Sequence, residues 1–533
     1  MTSLLTCVVC SAALAGDFSY TVQPGDHPWN LAQRYLKHPT LSRQLLELNK
    51  IEDERHVMPG TRLRIPQKWL RLQTSRVRVL AVFGDITQQK AGHTERRHVQ
   101  QGDYLQAPLV LRTGATGNAT LGFADGSRVL LRRDSELQLK QTQQRALNKV
   151  SFVQLFLLSG SMENLVTPMG DSGGRFEIDT PAAVAAVRGT QFRVQVQGMQ
   201  SRTEVLGGIV NVANSSGQVD TAAGQGTVAQ SGQSPAGSLT QLLPEPSLEG
   251  LPERIERLPI DVPLKALAGA VAYRTQLAPD ESFSVLVSDE TSEAARIRAR
   301  DVDDGSYFLR VRAVDARGLE GFSAQRALLV AARPASPVLI EPAPMSVTER
   351  PRPEFRWAQG DAGWHYRLQI MADGSQTPLD EQVVQGGVAT ALQDLPAGLY
   401  QWRVAAIQSG KGQGPWSDAQ AFRRVLPGPG VVASQMSDRT TTLRWPGQLQ
   451  AARYHLQVAR ESGFAAPLVD VRPEGTQYDL KSLAAGAYHV RVRTIGADGY
   501  TGPWGQAQTF VVPEAPVSTW PALLLLLPLL VMF

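Results

Sequence analysis

Gly305-Ser306-Tyr307-Phe308-Leu309-Arg310-Val311, Gly398-Leu399-Tyr400-Gln401-Trp402-Arg403-Val404 and Gly486-Ala487-Tyr488-His489-Val490-Arg491-Val492 read as one strand written three times, at intervals of 93 and 88 residues. Glycine interrupts the chain before each copy. Apolar and polar positions then trade places with the period of two that gives a strand one buried face. A unit of this length carries one β-sandwich. The last two copies also align Trp357 with Trp445 and Tyr366-Arg367-Leu368-Gln369 with Tyr454-His455-Leu456-Gln457, and they close on Gly414-Pro415-Trp416 and Gly502-Pro503-Trp504. They occupy 336–425 and 430–512. The first copy, 261–333, has no early Trp and is divergent. Because Tyr307, Tyr400 and Tyr488 recur at one strand position, a core or corner role is favoured over surface binding.

Working outward, 533 residues exceed what one core supports, and 42% hydrophobic with 19% charged residues is the composition of a folded chain. Lys plus Arg is 53 against 49 for Asp plus Glu, without a basic run, so nucleic acid is excluded as a partner. Cys7 and Cys10 both lie in the apolar stretch from Leu4 to Ala15. With Ala13-Leu14-Ala15 before Gly16, residues 1–15 read as a signal peptide, although Met1-Thr2-Ser3 lacks the usual basic residue. Export to the periplasm or cell envelope follows, and the mature chain has no cysteine. Residues 513–533 read as a linker and an apolar tail. From Trp520 to Phe533 a helix reaches only about 21 Å, short of a hydrocarbon core of about 30 Å. An anchor with membrane contact, a sorting signal and a docking segment all stay open for this tail.

Between Tyr20 and Pro66 the pattern is strand, helix, helix, strand. Phe18, Tyr20 and Val22 alternate; Pro24-Gly25-Asp26 is turn chemistry; Trp29, Leu31, Ala32, Tyr35 and Leu36 follow at helical spacing; and Leu41, Leu45, Leu46 and Leu48 make a second stripe before Pro59-Gly60 and the strand Leu63, Ile65. Tyr20-Thr21-Val22-Gln23-Pro24-Gly25-Asp26, Trp29-Asn30-Leu31-Ala32, Leu48-Asn49-Lys50-Ile51 and Pro59-Gly60-Thr61-Arg62-Leu63-Arg64-Ile65-Pro66 together resemble the LysM family, so 18–67 is read as a LysM-like module. The resemblance implies N-acetylglucosamine-containing glycan, hence peptidoglycan strands, as the ligand. It places the sugar between two loops, at Gly25, Asp26, His27 and at Asn49, Lys50, Ile51. His27-Pro28 departs from the family, where a hydroxyl residue and Leu are usual. Taken singly, Asp26 and Asn49 are also what a helix cap and a turn require, and capping is the favoured reading. Trp29 sits on the apolar stripe and is read as core.

From 76 to 230 short strands punctuated by glycine predict an all-β domain. Asp125-Gly126 between Leu121-Gly122-Phe123 and Val129-Leu130-Leu131 signals a hairpin with a type I′ turn. Leu111-Arg112-Thr113-Gly114, Phe123-Ala124-Asp125-Gly126-Ser127, Leu158-Ser159-Gly160-Ser161, Gly174-Arg175-Phe176-Glu177-Ile178 and Thr180 through Phe192 resemble the FecR family. That resemblance implies an envelope location and a docking role. The anti-sigma region and membrane helix of the sensing members are not what precedes the domain in this chain. Arg188 is read as bracketing the turn at Gly189. Residues 231–260, rich in Gly, Ser and Pro, are read as a linker. The early Trp, late Tyr strand and period of the last copies resemble fibronectin type III domains, and Pro-rich joints between copies predict an extended rod.

The fold class is therefore multidomain and mainly β: a small α+β (βααβ) module, an all-β FecR-like domain and two to three β-sandwich repeats. No HExxH, phosphate loop or Cys/His pair is present. No catalytic residue, metal site or cofactor is expected. Asp301-Val302-Asp303-Asp304-Gly305 is a turn and not a calcium loop, since its glycine comes one position early. The reading is an exported, non-enzymatic envelope protein that binds peptidoglycan and presents β domains to an envelope protein partner. A FecR-type signalling component and a peptidoglycan hydrolase or its accessory factor are the alternatives.

Overall fold

A computed structural model describes residues 17–168, 173–187, 189–434, 440–449 and 451–514. The candidate leader 1–15 with Cys7 and Cys10, Arg188, and the tail Trp520–Phe533 lie outside the described residues. The protein is multidomain and mainly β. It divides into two compact units, Met1–Ala332 and Arg333–Phe533.

The first unit opens with β1 (Phe18–Thr21), α1 (Pro28–Tyr35), α2 (Leu41–Leu48) and β2 (Arg62–Ile65), with β1 antiparallel to β2 so that Tyr20 faces Leu63. Val22, Leu31, Ala32, Leu36, Leu45, Leu63 and Ile65 make its core. This module is not left to fold unsupported. Leu147, from a hairpin far along the chain, packs against the same core, and the Arg71 guanidinium donates to the carbonyl of Gln33 at 3.1 Å and to that of Arg34.

From Leu72–Thr74 to Thr240–Gln241 the strands form one hydrogen-bonded system closed on itself. Its spine is the strand Ser151–Leu165, which pairs with Glu136–Arg145 up to Ser159 and with Gln191–Gln197 from Gly160 onward. The changeover shows in burial. Val153, Leu155 and Leu157 point inward before it, Met162 and Asn164 after it, so the inward parity flips from odd to even. Gly160 makes this possible: its φ is +87°, and a Cβ there would sit 2.5 Å from the Ser135 Cα. The neighbouring hairpin corrects one expectation. Gly122 pairs with Arg128, the Gly126 N–H donates to the Phe123 carbonyl, and of the expected turn pair only Gly126 has positive φ. A type I′ turn needs both. The loop is instead a type I turn followed by a left-handed glycine, which fits an Asp that pins Ser127 N–H at 3.0 Å.

The stretch read as a linker is tied down along its length. Thr240 pairs with Gly226 and closes the preceding sheet; Arg254–Ile255 runs parallel to Leu329–Val330 as an edge strand of the next. Leu242, Leu251 and Ile255 are buried. Those leucines were outweighed in the sequence by the surrounding Gly, Ser and Pro, yet they anchor the segment. The first sandwich has the sheet order Arg254–Ile255, Glu320–Val330, Gly305–Asp315, Ala270–Ala278, Ser288–Ser292, with Ile260–Pro263 and Arg296–Ala299 opposite.

In the second unit, Leu339–Glu341, Glu354–Trp357 and Val388–Thr390 face a sheet built on Gly398–Gln408; then Val432–Ser434, Thr440–Arg444 and Gln477–Lys481 face one built on Gly486–Gly496. The repeat holds atom by atom. Tyr307, Tyr400 and Tyr488 each donate to the carbonyl four residues upstream, at 3.1, 2.8 and 2.7 Å, a tyrosine corner in every copy. Arg310, Arg403 and Arg491 each donate Nε to a glutamine thirty-four residues earlier, Gln276, Gln369 and Gln457, at 2.9 Å. Tyr273 in the divergent copy accepts the Leu267 N–H just as Tyr366 accepts that of Gly360 and Tyr454 that of Gln448. The first copy is the same fold without its Trp.

Candidate functional site

Six residues were expected to form the sugar groove, and the fold divides them into two loops by role. Gly25 has φ +87° with open space around it, so the turn after β1 requires glycine for backbone reasons. Asp26 Oδ2 accepts the Tyr20 hydroxyl at 2.6 Å and the Gln23 N–H at 2.8 Å. Burial, then that bond, push the Tyr20 hydroxyl well above its ordinary pKa. The carboxylate is a turn brace. His27, where the LysM pattern has a hydroxyl, does the hydroxyl's work: its Nδ1 accepts the Trp29 N–H at 3.3 Å and caps α1 ahead of Pro28.

The second loop ends α2. Lys50 N–H bonds to the Glu47 carbonyl at 3.1 Å and Ile51 N–H to the Leu46 carbonyl at 3.0 Å, the paired bonds of a Schellman motif. Ile51 and Leu46 pack on the same core, as that motif favours. The left-handed position falls on Lys50, at φ +57°, where glycine is usual. Asn49 spends its carboxamide inward. Nδ2 donates to the carbonyls of Leu45 at 2.8 Å and Arg64 at 2.9 Å, and Oδ1 accepts the Arg64 N–H at 2.7 Å. Its side chain completes the free edge of β2 like a further strand, leaving neither N–H for a sugar.

Trp29 differs from the expectation. It is 49% exposed, while Pro28, Leu31 and Ala32 form the buried face of α1. The sequence spacing from Trp29 to Ala32 and Leu36 also fits a stripe, and only the packing of Pro28 decides between the two. An exposed indole beside the His27 cap is thus a candidate the sequence reading missed. Gly25 and Lys50 are exposed; His27 and Ile51 are half-buried.

The other concentration of polar side chains in this unit lies where the FecR-like sheets meet the first sandwich. Arg132 reaches Asp289 and Glu320, each at 3.1 Å; Arg274 reaches Glu320 at 3.1 Å; Arg312 reaches Glu320 at 2.7 Å and Glu163 at 2.9 Å; Arg310 reaches Glu163 at 3.0 Å. Arg193 pairs with Glu204 at 3.2 Å, and the Glu320 N–H bonds to Glu204 at 3.1 Å. Asn118 clasps both backbone groups of Leu286, and Leu130 packs with Phe283 and Leu286. Burial alone would raise the Glu163 and Glu320 carboxyls, but the surrounding guanidinium groups outweigh it and hold both well below the usual carboxylate range. Glu204 goes the other way. Burial, with Glu320 nearby, pushes it up to about 7 against its Arg193 partner. Closely placed acids are what a glycosidase needs, but here they are buried and taken up by arginines. Chemically, the arrangement can hold two domains together. Among the described residues no cluster of His, Cys, Asp and Glu suits a metal ion, and no helix is long and apolar enough to cross a membrane.

Residues 20–66 match the LysM domain family and residues 110–211 the FecR protein family. The FecR match contains every residue that the FecR-like sheets contribute to the charged interface. No curated protein matches the chain. Among solved structures, two of a protein assigned as an anti-sigma factor from Parabacteroides distasonis ATCC 8503 align at 15% and 16% identity with TM-scores of 0.20, over 23% of this chain and 55% and 56% of theirs. The chain thus spans little more than half the length of those structures. A two-domain fibronectin type III segment of chicken tenascin aligns at 16% identity over 34% of this chain and 99% of that one, with a TM-score of 0.25. Chicken CNTN1 FN1–FN3 domains align at 16% over 51% and 100%, with a TM-score of 0.19.

Proposed function

We propose that this is an exported, non-enzymatic envelope protein that holds peptidoglycan through residues 18–67 and presents its FecR-like and sandwich domains to an envelope protein partner. LysM domains bind peptidoglycan glycan, and the LysM match over 20–66 is the observation that carries the reading. Within the module, the sugar lies along the two loops of Gly25, Asp26, His27 and of Asn49, Lys50, Ile51. Asp26 and Asn49 set the shape of these loops. Contact falls to their backbone groups, to Lys50 and Ile51, and to the exposed Trp29, whose indole offers an apolar face with a polar edge.

A shallow site of this kind gives an affinity on the order of micromolar to millimolar. Calorimetric titration of the full chain with a β-1,4-linked N-acetylglucosamine tetramer should give saturable binding in that range; a flat titration would overturn the assignment. Clearing of a peptidoglycan suspension by the purified chain would favour the hydrolase reading instead. The FecR match supports a signalling role as the second reading, and it calls for a membrane partner that binds the FecR-like domain.

A further inference from the structure

The three sandwich copies can be superposed on the glycine that opens each long strand. Opposite Gly305 stands Val330, opposite Gly486 stands Val512, and opposite Gly398 stands Arg424. Val330 and Val512 pack on the cores of their copies. Arg424 takes the same inward position, alternating with fully buried Phe422, and is itself only 7% exposed. One copy of three has put a guanidinium where its sisters keep a methyl-bearing core residue.

That guanidinium has no partner among the described residues. Its Nε is buried without a hydrogen bond, and among the described residues no carboxylate lies within ion-pair distance of it. Adjacent Arg423 is the opposite case, bonded to Asp498 at 2.6 Å and lying over the Tyr500 ring. A buried, unpaired cation is among the costliest arrangements in a protein. Arg424 lines a cavity of about 330 Å³ inside the second unit, walled also by Gly398, Leu426, Gln448 and Thr494 and by the Arg423–Asp498 pair with Tyr500. The Gln448 amide is already engaged, donating to the Pro427 carbonyl and accepting the Thr494 hydroxyl. Because the Asp498 carboxylate is already taken up by Arg423, Arg424 is the one guanidinium of the lining without a carboxylate partner among the described residues, which suits a singly charged acid with a compact aliphatic body. A dianion would need further donors.

We propose that this cavity, with Arg424 in its wall, is a binding site for a small aliphatic carboxylate, held through a paired guanidinium–carboxylate contact. A free short-chain acid and the C-terminal residue of a short peptide share that chemistry. The site is independent of the glycan reading.

Calorimetry on the full chain tests it with four probes: 3-methylbutanoate, N-acetyl-alanyl-alanine, the C-terminal amide of that peptide, and inorganic phosphate. Saturable binding of one or both carboxylates, weakened about tenfold or more in the amide, is expected; which carboxylate binds better identifies the source. Arg424→Val installs the residue found in the sister copies, so it should fold, melt no lower than the parent and lose the carboxylate. Arg424→Lys should retain part of the binding. Equal binding of peptide acid and amide, binding of phosphate alone, no binding at all, or carboxylate binding that survives Arg424→Val would each overturn the proposal. So would a clear loss of stability in Arg424→Val, which would make the arginine structural.

Discussion

Replacing Glu320 with Gln should release the first sandwich from the FecR-like domain. Glu320 touches Arg132, Arg274 and Arg312 at 3.1, 3.1 and 2.7 Å and is 4% exposed, so a neutral amide of the same shape leaves those three guanidinium groups with Glu163 and Asp289 alone. Removing one partner of a buried charge network costs on the order of 3–5 kcal/mol, a large part of the stability of one domain. Each sandwich has its own core, so the loss should fall on the interface before it falls on the fold. Hydrogen exchange reads this directly. The amide of Leu286, which bonds to Asn118 at 2.8 Å, should exchange on the order of a hundredfold faster or more, while that of Val311, in the strand Gly305–Asp315, should change far less. If Leu286 exchange moves by less than about fivefold, the ion network does not hold the two domains, and Asn118 with the Leu130 contact carries the interface.

Lys50→Gly should relieve the left-handed strain at the end of α2, raising local stability by about 1 kcal/mol; the Ile51 amide should exchange about fivefold more slowly, and faster exchange would refute the strain. The charged interface also predicts an acidic optimum. Glu204 has its pKa raised by burial to about 7 from 4.5, so the docked state binds the extra proton and loses stability as pH rises between those values. Glu163 and Glu320 are held low, so their contribution is present above the ordinary carboxyl range and is lost as pH falls below it. Thermal unfolding followed across pH should therefore peak near the ordinary carboxyl value, and Glu204→Gln should flatten the decline on its alkaline side; an unchanged profile would place the titrating group elsewhere.

Most of the architecture was legible because it rests on local repetition. The Gly-x-Tyr strand recurs with its tyrosine corner and its arginine–glutamine bond, and the βααβ order follows from two helical stripes between two alternating strands. What escaped was set by partners distant in sequence. The segment 231–260 has the composition of free chain, yet Thr240 and Ile255 belong to sheets whose other strands come from elsewhere. Arg310 reads as the repeat's ordinary outward arginine, and nothing near it announces that Glu163, 147 residues earlier, would bury it. At the candidate site, residue types were visible and roles were not. Asn49 and Asp26 read as caps more readily than as ligand contacts, and only the bonds to Arg64 and Tyr20 show what each one braces. Trp29 lay on the boundary between two possible stripes, a choice made by Pro28 rather than by any period.

Co-sedimentation with insoluble peptidoglycan, at low and at high salt, compares the full chain with a version lacking Phe18–Pro66. Neutral contacts to N-acetylated sugar should survive salt that screens charges beyond about 3 to 10 Å. The account predicts that the full chain pellets under both conditions and that the shortened chain stays in solution. A shortened chain that pellets as well as the full one, or a full chain released by salt, would contradict it.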